Sequence, residues 1–291
     1  MTRRLVFLSQ DSMDGYVCDD DVALPVFRQH GLEVDTISWR ADANWSDYDA
    51  VIVRSTWDYQ RHLGDFFKTL EKIASCTRLA NPLPLMRWNC DKRYLSELAR
   101  AGVATVPTVF GEGLAPGQLA AMVAALETPH VIKPAVSAGS ERTYRVQADM
   151  SADEIERIAS SHADSVWMWQ PFLKAIPTEG EYSLFYFDGH LSHAINKLPK
   201  SGDFRVQEEF GGAITAIAPT KEQTEMAAQV LGALEHTPLY ARIDIVRANH
   251  DDVWQLIEVE LIEPSLYLRI DEQASARFAD ATRQWLQQER G

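Results

Sequence analysis

Two carboxylates lie two residues apart near the C-terminus, in Trp254-Gln255-Leu256-Ile257-Glu258-Val259-Glu260-Leu261. Strand side chains alternate between faces, so Glu258 and Glu260 share one face while Ile257, Val259 and Leu261 take the other. Asp244 sits in the apolar run RIDIV, which is joined to this strand by the short connection ANHDD, so a hairpin would lay it beside the glutamates. Three converging hard oxygens suit Mg2+ or Mn2+, above all when nucleotide phosphates complete the coordination sphere. The alternative is a solvated strand face, or carboxylates that pair with Arg242 and Arg269.

The second signal is a cation. Lys133 closes the apolar run HVIKP, and residues 135–145 that follow hold Gly139 and the hydroxyls of Ser137, Ser140 and Thr143. Such a loop can fold over phosphates with backbone N–H groups pointing in. Taken alone, a lysine at a strand end snorkels to solvent.

Other familiar arrangements are missing or misplaced. There is no GxxxxGK[ST] loop, and no GxSxG surrounds any serine. Gly111-Glu112-Gly113 with Gly117 has its last glycine one position late for a dinucleotide fingerprint, and reads as an ordinary strand-to-helix loop. His190 and His193, three apart on an expected strand, face opposite sides by alternation and read as structural.

These groups need elements to position them. Leu5–Leu8, Glu33–Trp39 and Ala50–Val53 read as strands, with helices near 20–30 and 62–74 between and after them. That order implies a small parallel sheet covered by helices. A helix within NCDKRYLSELARAG, an extended Val103–Phe110, a helix Gln118–Leu126, the lysine strand and a helix near 152–161 follow. Then the character changes. Strands at 166–170, 182–187, 191–196, 211–218, 241–246 and 253–261 surround a helix at 221–234, with Asp188-Gly189 as a hairpin turn. The 291 residues suggest two or three packed units. Acidic residues outnumber basic ones 42 to 28, for a net charge of −14, which disfavours general nucleic-acid binding. Three dispersed cysteines fit reduced cytoplasmic thiols, and no run is long enough for a membrane span or a signal peptide.

Taken in order, these parts resemble the ATP-grasp superfamily, in its branch of glutathione synthetases and ribosomal-protein-modifying ligases. The matching parts are Asp91-Lys92 opening a helix, Ile132-Lys133-Pro134, the small-residue loop, and Gln170-Pro171-Phe172. They continue with Gly180-Glu181, Phe204-Arg205 ahead of Gly211-Gly212, Asp244, and Glu258-Val259-Glu260. The resemblance runs from about Asn81 onward, behind a pre-ATP-grasp α/β domain. It implies that Lys92, Lys133, Ser137, Gly139 and Ser140 meet the phosphates of ATP, and that Gln170–Phe172 form a hinge on the adenine. It also implies that Glu181 holds the ribose and that Arg205 and Gln207 lie near the transferring phosphate, with Arg205 and Lys133 as catalytic cations. Asp244, Glu258 and Glu260 would bind two Mg2+ ions.

Two departures stand out. The branch usually has Glu-x-Asn where this chain has Glu258-Val259-Glu260, with Glu263 close behind as a competing ligand. Glu208 and Glu209 replace an often basic residue, which points to a different acceptor. RSTWDY and LIEVELIEPSLYL are similar to the subgroup containing the cyclo-ligase that closes the cycloserine ring. The expected fold is therefore α/β and α+β. A parallel-sheet domain spans 1–84, a central ATP-grasp subdomain 85–170 and a C-terminal one 171–291.

The expected activity is ATP-dependent ligation of a small amino-acid-like carboxylate to a nitrogen nucleophile through an acyl phosphate, inside one molecule if the subgroup resemblance holds. Arg54 and Asp58 are candidates for the substrate side. Arg54 would hold a substrate carboxylate at a strand end, or else form a surface ion pair with Asp58. A divalent-metal hydrolase would leave Lys133 and Arg205 idle, and a non-catalytic nucleotide-binding regulator has no need of three metal carboxylates. Expected partners are a small-molecule carboxylate, with no nucleic acid and no membrane; a homodimer stays open.

Overall fold

The structure is a computed structural model and describes residues 2–250 and 252–288. Asp251, in the expected hairpin connection, lies outside the described residues, as do residue 1 of the expected 1–84 unit and residues 289–291 of the expected 171–291 unit.

The chain starts as β1 (Arg3–Ser9), α1 (Asp20–Gln29), β2 (Leu32–Ser38), β3 (Ala50–Ser55), α2 (Leu63–Cys76) and β4 (Arg78–Ala80). These strands form a parallel sheet in the order β2-β1-β3-β4. Leu5, Phe7, Ala50 and Ile52 enter one apolar cluster, while Val6, Leu8, Val51 and Val53 enter another. Both faces are covered, which is why β1 and β3 read as continuous apolar runs.

Two short helices, α3 (Leu83–Asn89) and α4 (Tyr94–Arg100), replace the single one expected, and lead to β5 (Val109–Glu112), α5 (Pro116–Ala124), β6 (His130–Pro134), β7 (Tyr144–Val146), α6 (Ala152–Ser161) and β8 (Val166–Pro171). The second sheet, antiparallel, has the order β5-β8-β6-β7. Gly111 lies in β5 itself and not in the loop after it; a Cβ there would come within 2.1 Å of the Trp167 ring. It is a packing glycine. Ser151 and Glu154 form a capping box that starts α6.

The rest is α7 (Ala175–Glu179), β9 (Glu181–Phe187), β10 (His190–Leu198), β11 (Ala213–Ile217), α8 (Lys221–Gly232), β12 (Tyr240–Arg247), β13 (Trp254–Glu260) and α9 (Ala274–Gln287). The third sheet is antiparallel in the order β11-β10-β9-β12-β13. Asp188 and Gly189 both have positive φ, as a tight hairpin turn requires. One face of this sheet, with Leu184, Ala194, Ile243 and Val259, packs with Tyr94 of α4 and Met226 of α8. The opposite face is divided. Phe185, Phe187, Ile195 and Tyr240 join the core of the first sheet, together with Phe278 of α9. The remainder of that face is polar and holds the site.

Candidate active site

Strand register gathers the polar residues. Asp244 pairs with Glu258 and Arg242 with Glu260 across β12 and β13; Asp244 also pairs with Ser183 of β9, and Glu181 of β9 with Lys197 of β10. Alternation then places Glu181, Ser183, Lys197, Arg242, Asp244, Glu258 and Glu260 on one face. The expected hairpin thus brings Asp244 alongside the glutamates.

The carboxylates meet cations before they meet each other. Arg242 Nε lies 3.1 Å from both Asp244 oxygens and its Nη2 2.9 Å from Oδ2, while the same Nη2 donates to Glu260. Lys197 bridges Glu181 and Asp244, and Lys92 Nζ pairs with Glu258 at 3.0 Å. Ser183 Oγ also donates to Asp244. Among the described residues no group of three or more His, Cys, Asp or Glu is preassembled as a metal site, because Arg242 occupies the space between Asp244 and Glu260.

The charges respond to this arrangement. Burial opposes the charge of Asp244, but Arg242 and then Lys197 hold its pKa down to about 2. Burial pushes Glu260 up to about 7, against the pull of Arg242 and with Glu258 adding to the rise. Burial, then Glu260, raises Glu263 to about 8. Burial works against Lys92, yet Glu258 lifts its pKa above the ordinary lysine value. Burial lowers the pKa of Lys133, with Lys92 pushing the same way. Glu258, Glu260 and Glu263 crowd three carboxyl groups together, two of them held up in pKa by burial and by each other, so a cation that brings positive charge would favour their ionised forms, and all their donors are hard oxygens. That chemistry fits a divalent cation such as Mg2+.

Lys133 lies at the end of β6 and, among the described residues, has no ion-pair partner. The loop after it is held in place by other groups. Lys92 Nζ donates to Ser137 O at 2.8 Å, Gln207 Nε2 to Ser140 Oγ at 2.8 Å, and Arg61 lies 3.4 Å from Glu141. Gly139 and Ser140 both have positive φ, so the loop turns sharply there. Lys92, Ser137, Gly139, Ser140 and Gln207 are therefore brought together.

Gln170 is buried and donates to Thr108 Oγ1 at 2.9 Å. Phe172 contacts Phe204 edge-on, and the Arg145 guanidinium lies over its ring at 4.3 Å. Asn249 clamps the crossing from the second sheet to the third: its Nδ2 donates to Phe172 O and its Oδ1 accepts from Lys174 N, both at 2.8 Å.

Arg205 stands apart from the carboxylates. Its guanidinium is fastened to Asp203, with Nη2 at 2.7 Å from Oδ2, and stacks over Phe210. The cations on the carboxylates are Arg242, Lys197 and Lys92, and of these Arg242 reads from sequence only as a partner for glutamates. Lys197 was missed altogether. Both carried a legible signal: each is a charge in an apolar strand, and Arg242 stands two residues from Asp244.

The expected Arg54–Asp58 surface pair does not form. Arg54 is 2% exposed and bound to Asp20, with Nε at 3.0 Å from Oδ1, and its Nη1 donates to Pro264 O. Asp58 instead accepts from Trp39 Nε1 and Arg40. Arg54 follows Ile52 by two residues, on the face of β3 turned to the shared core, which explains why it is buried. For the histidines, a bulge between Leu191 and His193 pairs His190 with Phe187 and His193 with Phe185, so alternation does not separate them. His190 is exposed, whereas His193 is buried and stacks on Phe185 at 4.3 Å.

The family described as D-cycloserine synthetase DcsG, N-terminal domain, matches residues 5–81, and the prokaryotic glutathione synthetase ATP-grasp domain matches residues 115–275. The chain is 33% identical to the cycloserine biosynthesis protein DcsG of Streptomyces lavendulae, over 89% of this chain and 90% of that one. A glutathione synthetase of Synechocystis is 25% identical over 55% of this chain and 48% of its own. The crystal structure of D-cycloserine synthetase DcsG superposes with a TM-score of 0.85 at 30% identity, covering 98% of this chain and all of that one (100%). D-alanine–D-alanine ligase from Bacillus anthracis shares the fold, with a TM-score of 0.65 at 17% identity and coverage of 98% and 97%.

Proposed function

The chain belongs to the ATP-grasp ligases, enzymes that use ATP to form C–N bonds, and from that premise we propose that it closes a ring within one small amino-acid derivative. The observation that carries the ring-closing reading is the match of residues 5–81, on the substrate side, to a domain named for D-cycloserine synthesis. In this reading a substrate carboxylate oxygen takes the γ-phosphoryl group of ATP and ADP leaves. A nitrogen of the same molecule then attacks the acyl carbon. The C–N bond forms, phosphate departs with the former carboxylate oxygen, and the nitrogen gives up a proton.

Lys133 and Lys92 hold the phosphates, with the backbone and hydroxyls of Ser137, Gly139 and Ser140 closing over them. Gln170, Phe172 and Glu181 receive the adenosine. Arg242 supports charge developing on the transferring phosphoryl group, a role its planar guanidinium suits better than Arg205 in its clamp on Asp203. Gln207 fastens the loop over the site through Ser140, while Arg205 stays clamped to Asp203. Glu258, Glu260 and Glu263 would hold Mg2+ (or Mn2+), which when bound supplies positive charge to the phosphate oxygens, while Asp244, with both oxygens on Arg242, anchors that guanidinium instead of serving as a ligand.

The test is incubation with ATP, Mg2+ and a panel of amino-acid derivatives, with ADP release and product mass followed together. Ring closure gives a product one water lighter than its substrate. ADP release only when a separate amine is added, with both molecules joined in the product, would replace this reading by ligation between two substrates.

A further inference from the structure

The parallel sheet reverses its winding at β1, since β2 lies on one side of it and β3 on the other. Small molecules gather at the carboxyl ends of the strands flanking such a point. Three buried side-chain oxygens without a hydrogen-bond partner sit there: Gln10 Oε1 after β1, Thr56 Oγ1 after β3, and Asp20 Oδ2 at the start of α1. The backbone holds them close together. Ser9 pairs with Ser55, Gln10 N donates to Ser55 O at 2.8 Å, and Asp20 Oδ1 accepts from Arg54 Nε at 3.0 Å. Gln10 and Asp20 are 6% exposed and Thr56 is fully buried (0%), so bulk water does not satisfy them.

Each oxygen is the free end of its group. Gln10 Nε2 donates to Ser12 O at 2.7 Å, which fixes the amide with its oxygen unpaired, and Asp20 has its other oxygen on Arg54. Buried acceptors in native proteins find donors in the protein, in bound water or in a ligand, and a ligand that enters between these three would bring donors to all of them. Among the described residues acidic groups predominate around the seat: Asp19, Asp20, Glu208 and Glu263 against Arg54 and Arg269, with Lys92 acting on Glu263 from the catalytic side. A compact group with three N–H donors and a positive charge is a primary ammonium. We infer that Gln10, Asp20 and Thr56 seat the α-ammonium of the amino-acid derivative on which the ligase acts.

The identity of the molecule rests on the ligase reading, but the preference for a primary ammonium does not. The segment 264–269 links the seat to the catalytic face, because Pro264 O accepts from Arg54 and Arg269 pairs with Asp19. Entry requires movement of segment 11–18, which has no helix or strand and meets the segment after β3 through the Tyr16–Trp57 ring contact.

The experiment compares thermal stabilisation of the intact protein by glycine, D-alanine, D-serine and D-cycloserine with that by their N-acetyl derivatives. At least one free amine is expected to stabilise it, and its acetylated form at least tenfold less tightly. Thr56→Val, which keeps the shape and removes the oxygen, weakens that amine roughly tenfold, Thr56→Ser restores it, and ATP affinity is unchanged in both. Asp20→Asn is unsuitable as the sole test, since it leaves Arg54 buried without its counter-ion. Equal binding of acetylated and free forms, no binding of any free amine, or an unaffected Thr56→Val overturns the seat. Absent ADP release with an amine that does bind counts against the ligase reading and leaves the seat standing.

Discussion

Single side chains in this protein are held by opposite charge, and Arg242 is the centre of that arrangement. It grips Asp244 along one edge and reaches Glu260 with a shared nitrogen. A lysine keeps the charge but not the fork. We predict that Arg242→Lys lowers ATP-driven turnover roughly a hundredfold, about the loss seen when one transition-state donor is removed. Wild-type turnover in the folded variant would remove Arg242 from the reaction. His193 illustrates the opposite case, a titratable group kept neutral. Burial lowers its pKa from 6.5 to about 4, against the Leu266 carbonyl that faces it. Between those pH values the unfolded chain binds the proton that the folded chain refuses, so stability rises with pH across the window. The contribution is whole above pH 6.5 and is lost as pH falls through about 4. Its size is about 3 kcal/mol, from about 1.4 kcal/mol per unit. Urea unfolding of wild type and His193→Gln from pH 4 to 7 checks it: the gap between the two should narrow by that amount on acidification, and a constant gap would mean His193 is not neutral in the fold. The shared face of Glu258 and Glu260 is legible because alternation alone fixes it, whereas Lys133 by type and place reads only as a snorkelling strand end and takes a phosphate role from the resemblance. The true partner of Arg54 is not legible, since only the fold brings Asp20 to it.

At the scale of elements, the loop after β6 is where order depends on few contacts. Residues 135–143 carry two successive positive-φ positions at Gly139 and Ser140 and are tied down by Lys92, Gln207 and a long Arg61–Glu141 pair. Little apolar surface is buried there, which places the segment at the low-stability end of the molecule. We predict that ATP with Mg2+ slows amide exchange in 135–143 and that Gln207→Ala speeds it without nucleotide; equal protection in all three conditions would show that the loop is no lid. The crossing between sheets gives a second prediction. Asn249→Ala frees Phe172 O and Lys174 N at once, and should cost about 1–3 kcal/mol of stability while weakening ATP binding at the hinge. Unchanged ATP affinity in that variant would confine Asn249 to a structural role. Elements with a strong apolar signature, such as the continuous runs of β1 and β3 and the capped, amphipathic α6, could be read from the sequence. Those built of few or small residues could not: β4 and β7 have three residues each, and the buried face of α9 sets alanine, serine and threonine around a single Phe278.

At the scale of the whole molecule, the first and third sheets share one apolar core. Phe7 and Phe27 of the first unit meet Phe278 of α9, which also stacks on Phe187 and meets Tyr240 of the third sheet. Asn81, fully buried, donates to Tyr240 O and Leu261 O, and its own oxygen accepts from Leu239 N. The second sheet keeps a core of its own, built from Leu119, Ile132, Val146, Ile158 and Trp167. Alternation of helix and strand predicts a small parallel sheet before Asn81 but cannot reveal that one of its faces is completed by a helix two hundred residues later in the chain, about one full domain length away. A single substitution can expose this arrangement. Phe278→Ala removes the ring shared by both sheets and should cost about 3–5 kcal/mol. Native-state hydrogen exchange would read where that cost falls. Protection should drop together in β1, β9 and β12, because they share the cavity, while β6 and β8 keep theirs. Loss confined to α9 and the first sheet would make residues 3–80 a separately folding domain, and the view that substrate side and catalytic face move as one body would be wrong.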